Sequence, residues 1–265
     1  MVFEDLLSKI GKRRPYSVLL GVLYVLISYG TAKVFFAAHI SIAMIFFITL
    51  LLVPSTARLI TFEERIERKE GLRHFFKNHN ILMEVFLFLF IGIFIGYLII
   101  GTYTTTAMTY QKTFLADRGI VGNIVNEKIE KITQFTGIII NNISVIVVAF
   151  VLSLLYGVGA LFLIVLNASV FASFVIQFSD LVAQQTALNA ALFSLHFIPE
   201  VFGFLLAAIA GGVISKAIVK ERVGTGPFQN VVKDATVLLL LSIAVILLAA
   251  LLEAFGTPFL IKQVI

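Results

Sequence analysis

From Gly137 to Phe255 the chain is almost continuously apolar, broken by a glycine turn, one short polar connector and one basic loop. Earlier apolar runs cover about Tyr16–Phe35, His39–Val53 and Ile81–Gly101. A bilayer core takes about 20 apolar residues per helical span, and runs of that length recur along the whole sequence. Composition closes the alternatives. Of 265 residues, 60% are hydrophobic and 13% charged, against about 45–50% and about 25% in soluble domains. Lipid must therefore cover much of the surface. Such a chain folds as an all-α integral membrane bundle.

Seven spans are expected. The first two are joined by a short turn, and Pro54 marks the end of the second, since proline commonly stops a helix. Residues 58–80 mix charges of both signs with Ile66, Leu72, Phe75 and Phe76. That pattern fits an amphipathic helix on the membrane surface or a solvated helical connector. Residues 1–80 thus read as an N-terminal pair of spans plus this segment, and residues 81–265 as a five-helix membrane domain. Within the second unit, an amphipathic helix is expected outside the bilayer at about residues 110–134. Val121, Ile124, Val125, Ile129 and Ile132 share one face there, and Glu127 precedes Lys131 by four residues. Spans at about 138–156 and 158–179 meet at Gly157 and Gly159, a tight turn. The last two spans cover about 190–214 and 235–255.

The net charge of +5 is distributed as an orientation signal and not as a nucleic-acid-binding surface. With the N-terminus in the cytoplasm, inner segments hold 14 Lys and Arg: four before Tyr16, six in residues 54–80 and four in residues 215–233. Outer segments hold the other six of the 20. Cytoplasmic loops carry the excess of Lys and Arg in membrane proteins, so the C-terminus is expected outside. Lys12-Arg13-Arg14 ahead of the first run, with no clear cleavage site, reads as a retained signal anchor in the cell membrane.

Polar side chains inside apolar runs are costly and therefore candidates for function. Asn141 and Asn142 lie near the start of the fourth span and Asn167 in the middle of the fifth. His196 and Glu200 lie four residues apart in the sixth, on one helical face. Pro199 is expected to open the helix locally, leaving a backbone carbonyl without its N–H partner. Together these six residues are the candidate intramembrane polar site. They could bind a head group or a cation, or tie helices together, since interhelical bonds from Asn and His are ordinary in membranes. Gly92 and Gly96 form a GxxxG pair, and Gly203, Gly211 and Gly212 thin one side of the sixth span. Both are surfaces where backbones can approach closely.

Enzyme signatures are missing. The sequence has no HExxH, GxSxG, Walker A or dinucleotide motif. It has no cysteine, so disulfides and thiolate chemistry are excluded. His196 and Glu200 give two possible ligands, short of the three that a catalytic zinc needs. No metal and no cofactor are expected.

The order Asn141-Asn142, Gly157/Gly159, Asn167, His196 with Glu200, and Gly211-Gly212 resembles the stage II sporulation protein M family of multi-pass membrane proteins. The resemblance covers roughly residues 80–256, with the first two spans as an addition. The family pattern places Pro before the His and Gly after it, where this chain has Leu195 and Phe197. Ala168 stands where Gly usually follows the mid-helix Asn. The resemblance implies a membrane fold and a polar constellation. Its sporulation member works in a membrane complex with peptidoglycan-degrading partners that drives engulfment.

The expected function is that of a non-enzymatic scaffold or assembly component. It would act through self-association as a homodimer and through other membrane proteins, in contact with membrane lipids. A transporter or lipid-handling protein using the Asn/His/Glu site is the alternative. The orientation is testable because the chain lacks native cysteine. A Thr225→Cys variant should react with a membrane-impermeant maleimide only from the cytoplasmic side. Labelling from outside alone contradicts the orientation.

Overall fold

The structure, a computed structural model, describes residues 16–70, 75–117, 131–157, 159–181 and 186–256. Among these residues all regular structure is helical. The elements are α1 (Tyr16–Phe35), α2 (Ile40–Glu70), α3 (Phe75–Tyr103), α4 (Thr109–Asp117), α5 (Lys131–Tyr156), α6 (Leu161–Leu181), α7 (Thr186–Lys220) and α8 (Gly226–Leu251). Short 3-10 turns at Ala37–His39 and Thr105–Met108 lead into α2 and α4, and a π-helical turn, Leu252–Gly256, extends α8. Six stretches are long and apolar enough to cross a membrane: Tyr16–Phe35, Ala37–Pro54, Leu82–Tyr103, Phe135–Tyr156, Phe197–Lys220 and Gly226–Gly256. The remaining expected span corresponds to a shorter apolar stretch, Leu161–Gln177. The proposed external helix at Val121–Ile132 lies almost entirely outside the described residues, as do the Lys12-Arg13-Arg14 cluster and most of the connector after α6.

Pro54 does not end the second helix. It sits inside α2, which runs unbroken for 31 residues, about 46 Å at 1.5 Å per residue. A proline removes one backbone hydrogen bond, and here the packing on either side of it carries the helix through. The charged stretch, which in sequence fits a surface helix or a solvated helical connector, is, up to Glu70, the continuation of this helix. It packs against the ends of α7 and α8, where Ile60 and the first buried acidic residues meet the bundle.

Burial separates the spans. The membrane stretch of α7 is 67% buried, and that of α5 only 22%. α7 is the central helix, touching α2, α3, α5, α6 and α8. Its buried run, Val201 with Phe204 to Val213, has no polar side, because a helix surrounded by neighbours is apolar all round.

Glycines set how close these helices come. A side chain at Gly92 would collide with the backbone of Val18, and one at Gly21 would sit 2.7 Å from the Leu89 carbonyl oxygen. α1 and α3 therefore touch backbone to backbone, and Gly96 receives Val25 from the same helix. On α7, Gly203 faces Ile246 of α8, Gly211 faces Phe150 and Ser153 of α5, and Gly212 faces Ile60 of α2 and the carbonyl of Gly157. The glycine surfaces that the sequence offers for self-association are thus occupied within one chain. The α5–α6 turn uses Gly157 at φ +71°, a left-handed conformation that costs glycine nothing. Its N–H donates to the Ser153 carbonyl at 2.7 Å. The Ser153 hydroxyl accepts from the Ala160 N–H at 3.3 Å, and Gly159 abuts the Leu152 carbonyl.

Gly92→Ala should lower the unfolding free energy by about 1–3 kcal/mol, the usual penalty for overpacking. Gly30→Ala, whose added methyl meets no atom within 4 Å, should stay within about 0.5 kcal/mol of the parent. Thermal or denaturant unfolding in detergent compares the two, and equal losses would contradict the α1–α3 contact.

Candidate functional site

α5 has two faces with the same spacing. Asn142, Ile146, Ala149 and Ser153 are buried, at steps of four, three and four residues, and this seam meets α7. Asn142 heads it. Its amide Nδ2 donates to Glu200 Oε1 of α7 at 2.5 Å, and its Oδ1 accepts from Asn141 Nδ2 at 3.3 Å. Three of the residues singled out in sequence are therefore connected: Asn141 to Asn142, and Asn142 to Glu200.

Glu253, on the π-helical turn after α8, is near enough for its charge to act on Glu200. In the sequence it falls near the end of the last apolar run, where an acidic residue ordinarily reaches water, and it is not one of the six candidate site residues. Its nearness comes from the antiparallel run of α7 and α8, which brings the start of one span beside the end of the other. Two acidic residues at matching depths in consecutive antiparallel spans were the available signal. Phe135 of α5 packs against Phe255 beside it, ring centroids 5.5 Å apart, so the turn is held to α5 as well.

Asn167 is placed elsewhere on α7's circumference. It lines a cleft with Phe90, Ile164, Val201, Phe204 and Leu205, with room for about one water molecule. Phe171 stacks on Phe197 at 3.4 Å, and Phe90 reaches the same ring at 5.8 Å, forming an aromatic wall over the α3–α6–α7 junction. The structure joins Asn142 to Glu200 and sets Asn167 in this separate cleft. α7 is continuous through Pro199, so the expected opening of the helix is not seen, although the proline still supplies no N–H. The side chain of His196 lies outside the described residues.

A second polar assembly stands about 30 Å along α7 from Glu200. Lys220 Nζ donates to Glu64 Oε2 at 2.7 Å, and Arg68 Nη1 donates to Glu221 Oε1 at 2.6 Å. The Glu221 carboxylate holds the Arg68 guanidinium above its ordinary pKa through that hydrogen bond and its charge. Glu63, Glu64 and Glu67 of α2 and Asp234 of α8 are all buried to within 1%. The Glu63-Glu64-x-x-Glu67 spacing puts three carboxylates toward one side of a helix, a signal visible in sequence. A third network ties α2, α4 and α6. The Ser41 hydroxyl donates to Gln111 Oε1 at 2.6 Å and accepts from the Tyr110 N–H, while Gln111 Nε2 donates to Ser169 at 3.0 Å.

Among the described residues no group of three or more His, Asp or Glu is arranged to hold a metal ion. Chemically, the Asn142–Glu200 pair can join two helices or present a carboxyl oxygen to a cation or a proton. Neither the search of curated proteins nor that of solved structures returned a match. The family model of stage II sporulation protein M matches residues 85–258, which include Asn142, Asn167, Glu200 and Glu253. This span is more than half of the chain, and the protein belongs to the stage II sporulation protein M family.

Proposed function

We propose that this protein is a non-enzymatic, seven-span component of the cell membrane that works by assembling with itself, as a homodimer, and with other membrane proteins. Residues 161–181 supply the span beyond the six long ones, the N-terminus lies in the cytoplasm and the C-terminus outside. The asymmetry of Lys and Arg supports that orientation.

The observation that carries the reading is the bond between Asn142 and Glu200. The most expensive polar group in the central helix is directed at a neighbouring helix and meets an amide there. This is how a membrane bundle fixes helix positions, with each such bond contributing on the order of 0.6 kcal/mol. The glycine contacts around α7 act in the same direction, drawing α2, α5 and α8 onto it.

A second reading keeps the carboxyl for a ligand. The turn that carries Glu253 packs against α7, and two carboxyl groups that share an apolar setting favour a shared proton or a bound cation. A transporter or lipid-handling role would use that property.

Two substitutions separate these readings. Glu200→Gln retains an acceptor for Asn142 and should stay within about 1 kcal/mol of the parent, with cellular function intact. Glu200→Leu strands the buried Asn142 amide and should lower stability by about 1–3 kcal/mol. Unfolding in detergent, run beside complementation of a deletion strain, measures both. Loss of complementation by Glu200→Gln at unchanged stability would overturn the assembly reading in favour of the second.

A further inference from the structure

Past its membrane stretch α2 carries charges of both signs, and burial sorts them. Residues 63–69 hold three carboxylates and three cations. Glu63, Glu64 and Glu67 are buried, and Glu64 Oε2 accepts from Lys220 Nζ at 2.7 Å. Arg68 is taken up by Glu221. Arg65 and Lys69 are exposed, and among the described residues neither belongs to an ion pair. Phe62, 52% exposed, precedes Arg65 by three residues and Lys69 by seven, so the three side chains share one helical face. Arg58, one turn earlier, already has an interaction within the protein and is not counted with them. A stretch that is neutral in sequence thus turns two cations and an aromatic ring outward.

The depth of this face follows from what α7 touches. Gly212 meets both Ile60 and the Gly157 carbonyl, and Lys216 Nζ lies 3.6 Å from a methyl placed at Gly157. The α5–α6 turn, with a lysine ammonium beside it, marks where the bundle meets water, and Ile60 is level with it. Along the helix, Phe62, Arg65 and Lys69 stand about 3, 8 and 14 Å beyond Ile60. The head-group layer is about 5–8 Å thick on each side of the hydrocarbon. Phe62 and Arg65 therefore fall within it, and the long stem of Lys69 can lead its ammonium back to it.

We propose that this face of α2 docks anionic phospholipid head groups, with Arg65 and Lys69 meeting their charge and Phe62 set among the lipids. The choice of occupant follows from charge complementarity and depth together. Anionic head groups supply negative charge at the level where the two cations stand, and basic residues near a membrane surface attract them. The apolar side of the same layer takes the ring. A soluble acidic partner would match the cations but would have to displace head groups to reach Phe62. The inference goes beyond the assembly reading and stands apart from it, since that reading uses α5, α7 and the glycine contacts.

The chain has no tryptophan, so one introduced indole reports its own lipid neighbours. The full chain carrying Phe62→Trp is reconstituted in phosphatidylcholine vesicles that contain either brominated phosphatidylglycerol or brominated phosphatidylcholine, and fluorescence quenching gives their relative affinity. Phosphatidylglycerol should be preferred about 5-fold to 30-fold, the range that one or two cations at a membrane surface supply. Adding Arg65→Gln and Lys69→Gln should bring the preference close to unity at an unchanged unfolding temperature, since both side chains are exposed. Leu240→Trp, at a position 61% exposed on the aliphatic face of α8, should be quenched equally by the two lipids. Equal quenching at position 62 overturns the anionic preference. An indole at position 62 that neither lipid quenches, beside a quenched one at position 240, overturns lipid as the occupant and leaves the face to a water-borne partner. A preference that survives both glutamine substitutions overturns the assignment to Arg65 and Lys69.

Discussion

A helix that other helices enclose along most of its membrane stretch has little access there to water or to lipid head groups, and α7 is that helix here. Whatever polar atoms it carries must be met by a neighbour at a defined place. Glu200 is met by Asn142 of α5 near one end of the span. Lys220 and Glu221 are met by Glu64 and Arg68 of α2 near the other. Between these two fastenings the glycines at 203, 211 and 212 remove every side chain that would hold α8, α5 and α2 away. Position along the helix comes from the polar bonds and closeness from the glycines. Van der Waals contact and hydrogen bonding are the forces left once lipid removes the hydrophobic drive between helices.

This division explains how α1 and α2, which precede the residues matched by the family model, become part of the bundle. α1 joins through small residues, with Gly21 and Val18 against the backbone of α3. α2 joins through charge beyond the membrane stretch and through Ile60 against Gly212. Its length matters for that purpose. A helix stopped at Pro54 would end before Glu64 and Arg68 could reach the end of α7. The buried Glu64 makes this junction sensitive to the loss of Lys220. A carboxylate buried to within 1% and deprived of its partner is strongly destabilising.

Much of the architecture was readable from sequence, and the reasons differ by element. Apolar runs of about 20 residues mark spans because hydrocarbon thickness sets their length. The expected bounds of the first four long spans lie close to the observed ones, whereas the last two, expected at about 190–214 and 235–255, are the stretches Phe197–Lys220 and Gly226–Gly256. Asn142 and Glu200 stood out because polar groups are conspicuous in apolar surroundings. Their mutual bond was not legible, since it depends on the rotation of two helices about their axes. Pro54 misled because propensity describes an isolated helix, and packing on both sides of the proline overrides it. Gly92 and Gly96 correctly signalled close approach, yet a GxxxG pair does not say whether its partner lies in the same chain. Here it does. Glu253 was not legible as a neighbour of Glu200 because it falls near a span end, where an acidic residue ordinarily reaches water.

The account depends most on Asn142 and Glu200 acting as a pair across the α5–α7 contact. A double-mutant cycle on unfolding, with Asn142→Leu, Glu200→Leu and both together, measures that coupling directly. Each single substitution should destabilise the bundle, and the double variant should recover part of the loss, because no stranded polar partner remains. A coupling of about 0.6–1.7 kcal/mol is expected for an interhelical hydrogen bond in a membrane. Strictly additive losses would contradict the pairing on which the central helix is held.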